Sequence, residues 1–200
     1  MNLREFIPPI IVKAASSLRP QKYGWFGNYP KWEDAIRDAS GYDSGVIVQK
    51  VKEALLKVKR GEAVYERDSV LFNEPEYSWP LLTGLMWIAA SNNGELSVAD
   101  FGGSLGSTYF QNKKFLTSLK KVKWSIVEQP LFVECGGQNF EDDVLKFYDN
   151  LDDCFSKSAP NVVLFSCVLQ YLQDPYMALQ STFNLRPEYI IVNNIPFLET

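Results

Sequence analysis

The chain contains no histidine. That absence excludes a Ser-His-Asp triad, a Cys-His pair, a His-ligated zinc and a histidine general base. Long apolar runs are missing as well, and nothing approaches the roughly 18–20 residues needed to cross a bilayer. There is no excess of positive charge: 20 Lys and Arg stand against 24 Asp and Glu, and the pI is near 5.0. A chain built to coat nucleic acid would be basic, so no nucleic-acid partner is expected. Cysteine is scarce. Cys135, Cys154 and Cys167 form no CxxC pair and suit a reducing, cytoplasmic setting, where a buried thiol acts as a small apolar group. No metal site is expected, because Asp142-Asp143 and Asp152-Asp153 read as solvated loop or helix-start acids.

What is present is an ordinary globular composition. The 200 residues are 46% apolar and 22% charged, enough for about one core. Residues 1–22 stand apart as a basic, apolar leader. They carry Arg4, Lys13, Arg19 and Lys22 against Glu5, a local charge of +3 that leaves −7 for the rest of the chain. Phe6, Ile7, Ile10, Ile11 and Val12 lie among these cations. Three readings stay open: a docked arm, peripheral contact with the inner face of a membrane, and a cleaved signal interrupted by Pro8-Pro9.

Residues 23–94 read as a helical cap. Tyr23 to Trp32 is a loop punctuated by Gly24, Gly27 and Pro30, with aromatics suited to stacking on a sugar or to clamping the leader. Val46, Ile47, Val51, Ala54, Leu55 and Val58 recur at helical spacing, with Asp43 or Ser44 to cap the start and Gly61 to close the end. A second helix is expected from about Pro80 to Ala90, stopped by Asn92-Asn93-Gly94. Trp79, Trp87 and Trp124 read as core or interface packing.

From Glu95 the period changes. Leu96–Phe101, Ser125–Glu128, Leu145–Tyr148, Val162–Ser166 and Tyr189–Val192 are short β-type runs separated by helical or loop-like stretches. Continuous runs such as VVLF and YIIV suit strands buried on both faces of a parallel sheet. The expected fold is therefore α/β: a Rossmann-like open, mostly parallel sheet of about five strands over residues 95–200, behind the helical cap.

One segment concentrates the chemistry. In SVADFGGSLGSTYF a strand ends at Asp100-Phe101, a small-residue turn runs from Gly102 to Gly106, and a helix begins near Ser107. Small side chains allow close backbone approach, and a helix N-terminus offers unpaired N–H groups. Ligands of open α/β sheets bind at that end of the strands. Ser104 and Ser107 spoil a G-x-G-x-x-G fingerprint, and no Lys completes a Walker loop. Glu128, 22 residues after Gly106, ends the next strand, where a carboxylate can accept both ribose hydroxyls of a nucleoside.

The D-x-G-x-S-x-G pattern resembles motif I of class I S-adenosylmethionine-dependent methyltransferases, with Ser104 in place of the middle glycine. The strand and Asp-Pro of Asn161 to Pro175 resemble a later segment of the same superfamily. More closely, YGWFGNYPKWEDA, GYDS, GEAVYERDSVLF, DFGGSLGSTYFQN, VEQPLFVECG and VLQYLQDP are similar to a family of bacterial methyltransferases associated with surface-polysaccharide or O-antigen gene clusters. The likeness covers nearly all of the chain from Tyr23 onward. It implies S-adenosylmethionine as cofactor and O-methylation of a saccharide or other small-molecule acceptor.

Carried over, it gives Asp100, Gly102, Gly103, Ser104 and Gly106 to the methionine part of the cofactor. It gives Glu128 to the ribose, Gln129, Tyr148 and Asp149 to the adenine side, and Ser166, Gln170 and Tyr171 to the sulfonium and the acceptor. Tyr171 is the candidate catalytic residue. The superfamily usually carries more strands than the sequence offers before Thr200, so either a fragment or a shortened protein is expected. Two alternatives follow: a non-catalytic nucleoside-binding or scaffold protein derived from a methyltransferase, and, more distantly, a nicotinamide oxidoreductase.

Overall fold

The computed structural model describes residues 27–38, 45–74 and 76–196. The leader, Asp43 and Ser44 lie outside them. The chain divides into two compact units, residues 1–40 and 41–200. In the first, helix α1 (Trp32–Asp38) follows a non-helical stretch in which the Tyr29 hydroxyl donates to Asp38 Oδ2 at 2.9 Å. Tyr29 and Trp32 are both exposed.

The second unit begins with α2 (Gly45–Lys59), whose buried face is Val48, Val51, Ala54 and Leu55. Gly61, at φ +77°, closes it. The Gly61 N–H reaches Val58 O and the Glu62 N–H reaches Lys57 O, the paired bonds of a Schellman end. A hairpin then interrupts the cap where the sequence suggested only helix and loop: β1 (Tyr65–Arg67) pairs antiparallel with β2 (Val70–Phe72). Asp68 and Ser69 both adopt positive φ, as a two-residue hairpin turn requires. Helix α3 (Trp79–Ser91) follows, with Pro80 in its first turn.

The remaining elements alternate: β3 (Glu95–Phe101), α4 (Ser107–Leu116), β4 (Lys121–Val127), α5 (Pro130–Asn139), β5 (Leu145–Tyr148), α6 (Leu151–Ser158), β6 (Val162–Ser166), α7 (Pro175–Leu185) and β7 (Tyr189–Asn193). The five long-range strands form one wholly parallel sheet in the order β5-β4-β3-β6-β7. This is a Rossmann-like open α/β fold.

Alternate strand residues feed two cores. Val98, Ile126 and Leu164 face α2, α3, α4 and α5, while Ala99, Val127 and Phe165 face α6 and α7. Burial on both faces is why these strands read as unbroken apolar runs. Trp124 is fully buried, but Trp79 and Trp87 are mostly exposed, Trp79 against the rings of Tyr77 and Phe115 and Trp87 against that of Tyr189. Helix α3 covers the sheet with its leucines and leaves both indoles outside. No helix among the described residues is long and apolar enough to cross a membrane.

Candidate functional site

Two crossovers diverge from the middle of the sheet. The chain leaves β3 through α4 toward β4, and it reaches β6 through α6 on the opposite face. The carboxyl ends of β3 and β6 therefore flank a topological switch point, the place where open α/β sheets hold ligands. Residues 102–106 form the turn at this point. The Gly102 N–H donates to Val127 O at 2.9 Å, and the Gly106 N–H closes back on Gly103 O at 3.0 Å. Leu105, fully buried, anchors the turn in the core.

Each small residue has a physical reason. Gly102 sits at φ +71°, and a Cβ there would lie 2.4 Å from Val168 Cγ2. Gly103 rests on the Asp100 carboxyl group, where a Cβ would be 2.7 Å from Cγ. Gly106, the residue preceding α4, sits at φ +99°. Ser104 has φ +56°, so the position that resembles a motif glycine needs the left-handed conformation glycine adopts freely. Ser104→Gly should therefore raise stability by about 1 kcal/mol, seen as a higher Tm.

Glu128 joins the turn directly. It lies one residue beyond β4, half-buried, with Oε1 accepting the Ser104 N–H at 3.3 Å and Oε2 accepting the Gln129 N–H at 2.7 Å. Burial raises its pKa, and these two N–H groups pull the other way. Gln129 is exposed at the start of α5. Asp100 lies beneath the turn instead of at its mouth. It is 1% exposed and accepts the Trp124 indole N–H at 3.1 Å.

The remaining sequence candidates are spread around this end. Ser166 closes β6 and accepts the Asn193 amide at 2.9 Å; the same Asn193 accepts the Ser78 hydroxyl at 3.3 Å. Gln170 and Tyr171 lie on a short 3-10 turn, Leu169–Tyr171, with the Tyr171 side chain half exposed. The Gln170 amide nitrogen donates to Cys167 Sγ at 3.1 Å, and its Oε1 is a buried acceptor with no partner among the described residues. Asp149 is exposed beyond β5. Tyr148 ends β5, half-buried on the side of the sheet that α6 covers, and burial chiefly raises the pKa of its phenol.

Three contributors escaped the sequence reading. Trp124 partners Asp100, Asn193 links β7 to β6, and Glu66 reaches the start of α4 from β1. The string containing Glu66 figures in the family resemblance, but nothing in its local pattern announces a buried acid. Comparison with protein-family models, curated proteins and solved structures finds no match to this chain. The methyltransferase likeness therefore rests on the chain's own residues.

Proposed function

We propose that this protein is an S-adenosylmethionine-dependent methyltransferase acting on a hydroxyl of a saccharide or other small molecule in cell-surface polysaccharide synthesis. The observation that carries the reading is the joining of Glu128 to the turn through the Ser104 N–H, at the switch point of the sheet. A small-residue turn and an acid on the neighbouring strand are the two parts a nucleoside joined to an amino acid requires. The residues fit that group in three ways. A Cβ at Gly102 or Gly103 would collide with Val168 or with Asp100 and Ile126, so the turn must run close over these side chains and carries no side chain of its own at either position. Glu128 is an acceptor suited to a diol, and Gln170 Oε1 is an open buried acceptor nearby in sequence to Ser166.

When bound, S-adenosylmethionine supplies a methyl group already activated on a sulfonium. The chain's own work is to bind, to orient and to exclude water. Glu128 would hold the ribose, and the 102–106 backbone would receive the amino-acid tail. Ser166, Gln170 and Tyr171, following β6, would border the acceptor. With no histidine in the chain, the base for a hydroxyl acceptor would be an Asp, Glu, Tyr, Lys or a metal-bound group, and Tyr171 is the candidate.

Calorimetry with S-adenosylhomocysteine and NAD tests the reading: the first should bind and the second should not. Glu128→Ala should weaken S-adenosylhomocysteine at least about 10-fold when measured on the folded variant, since the lost hydrogen bonds to ligand are charge-assisted; losing its bonds to the Ser104 and Gln129 N–H groups should lower Tm as well. Unchanged affinity would remove the ribose from this acid. Tight binding without methyl transfer to any acceptor would favour the scaffold alternative.

A further inference from the structure

The middle residue of β1 carries a carboxylate that the hydrophobic effect alone would leave in water. Glu66 is 4% exposed, and none of the ion pairs among the described residues includes it. Its neighbours are occupied elsewhere: Tyr65 stacks on Phe72, and Arg67 pairs with Glu76 at 3.2 Å. Burial raises the Glu66 pKa, opposed by hydrogen bonds from Ser107 and Ser69. Oε1 accepts the Ser107 hydroxyl in a close contact, and Oε2 accepts the Ser69 N–H at 3.0 Å. An acid buried without a cation is costly, so what it holds matters.

It holds the exit of the turn. Ser107 follows Gly106 and is the first residue of α4. Helices usually begin behind a Ser, Thr, Asp or Asn whose side chain caps the first N–H groups. Here the capping position is Gly106, at φ +99° and with no side chain to offer. The side-chain hydrogen bond that steadies the helix start comes instead from another element, with Glu66 accepting the Ser107 hydroxyl. This arrangement ties the helix start to β1 and not to the residue that precedes it. A second attachment lies one helical turn along, where the Gln111 amide donates to Glu76 O and Glu76 Oε2 accepts the Tyr65 hydroxyl at 2.8 Å.

Resting on the cofactor reading above, we infer that Glu66 is a positioning residue of the donor site. Through Ser107 the β1–β2 hairpin clamps the start of α4, and so fixes the position of the 102–106 turn that would receive the amino-acid tail. Glu66 acts on the ligand through Ser107 and not by touching it.

The test is calorimetry with S-adenosylhomocysteine on the full chain, using Glu66→Ala, Ser107→Ala, the double variant and Glu66→Gln, with a Tm for each. Each alanine variant should weaken binding about 10-fold, a loss of about 1.4 kcal/mol in binding. The double variant should be no weaker than the singles, because both break the same clamp. Glu66→Gln, whose amide oxygen accepts the same hydroxyl, should recover affinity to within about threefold of the unaltered protein. A merely structural Glu66 would lower Tm and leave the affinity of the folded variant unchanged, which would overturn the inference. Losses that multiply to about 100-fold in the double variant would overturn it too. Should Glu66→Ala not fold, Ser107→Ala decides alone: unchanged affinity sinks the clamp. If the unaltered protein binds no S-adenosylhomocysteine, the donor-site reading itself fails; if it binds and the variants match it, only the clamp fails.

Discussion

Replacing Gly103 by alanine should cost about 3 kcal/mol of stability, at the upper end of what overpacking a core usually costs. The added Cβ would stand 2.7 Å from Asp100 Cγ and 2.9 Å from Ile126 Cδ1. Neither neighbour can retreat. Ile126 is fully buried on β4, and Asp100 is pinned by the Trp124 indole on the same face of the sheet. Gly102 presents a different case, since its burden is partly conformational (φ +71°) and the Val168 side chain it would strike is only half-buried. Gly45 serves as the control: nothing lies within 4 Å of a Cβ there, so alanine should shift stability by no more than about 1 kcal/mol. Urea unfolding measures all three, with an unchanged m-value confirming that only stability moved. A loss below about 1 kcal/mol for Gly103→Ala would mean the turn relaxes away from Asp100, and that the close seat of its backbone is not essential.

The sheet was legible because its strands are short apolar runs bounded by strong punctuation. Leu145–Tyr148 and Val162–Ser166 match the strands residue for residue, and Gly106 marks the start of α4 as read. Buried parallel strands need few long-range facts to recognise; continuous Val, Ile and Phe suffice. The β1–β2 hairpin was not legible, since Asp68-Ser69 is a weaker turn signal than Asn-Gly and three-residue strands carry too little alternation. The exposure of Trp79 and Trp87 was hidden for another reason. Helix α3 is apolar nearly all round, so its sequence does not say which face meets the sheet.

The site divides in the same way. Glu128 and the 102–106 turn are adjacent strand ends, and a βαβ unit most often places its two strands side by side, as it does for β3 and β4 though not for β5 and β6. Glu66, Asn193 and Ser78 come from elements whose placement depends on tertiary packing. Tyr148 shows the limit from the other side: a strand-end position is given by the sequence, but which core its ring joins follows from strand pairing and the placement of α6.

Asp100→Asn should remove a large pH dependence of stability. Burial pushes the Asp100 carboxyl up to about 7, the nearby Glu128 charge adds to this, and the Trp124 N–H opposes it. An unfolded aspartate titrates near about 3.9. Between those values the folded chain keeps a proton that the unfolded chain has lost, so the contribution to stability is full below about 4 and falls away as pH rises through about 7. The span corresponds to on the order of 4 kcal/mol. The asparagine keeps an oxygen for the Trp124 indole but does not titrate, so the variant should gain on the unaltered protein by that amount between pH about 4 and about 8. Urea unfolding across the range reads the difference directly. Because Glu66 and Glu128 are present in both proteins, most of their own dependence cancels in the comparison. Parallel stability curves would show that the carboxyl beneath the turn does not carry the dependence. A difference that follows pH in this way would establish a buried acid close to half-ionised near neutrality, directly under the backbone proposed to receive the amino-acid tail, and loading that site should then change its proton occupancy. The matching observation is a proton uptake or release on binding S-adenosylmethionine at pH 7, lost in Asp100→Asn, from calorimetry in buffers of different ionisation enthalpy.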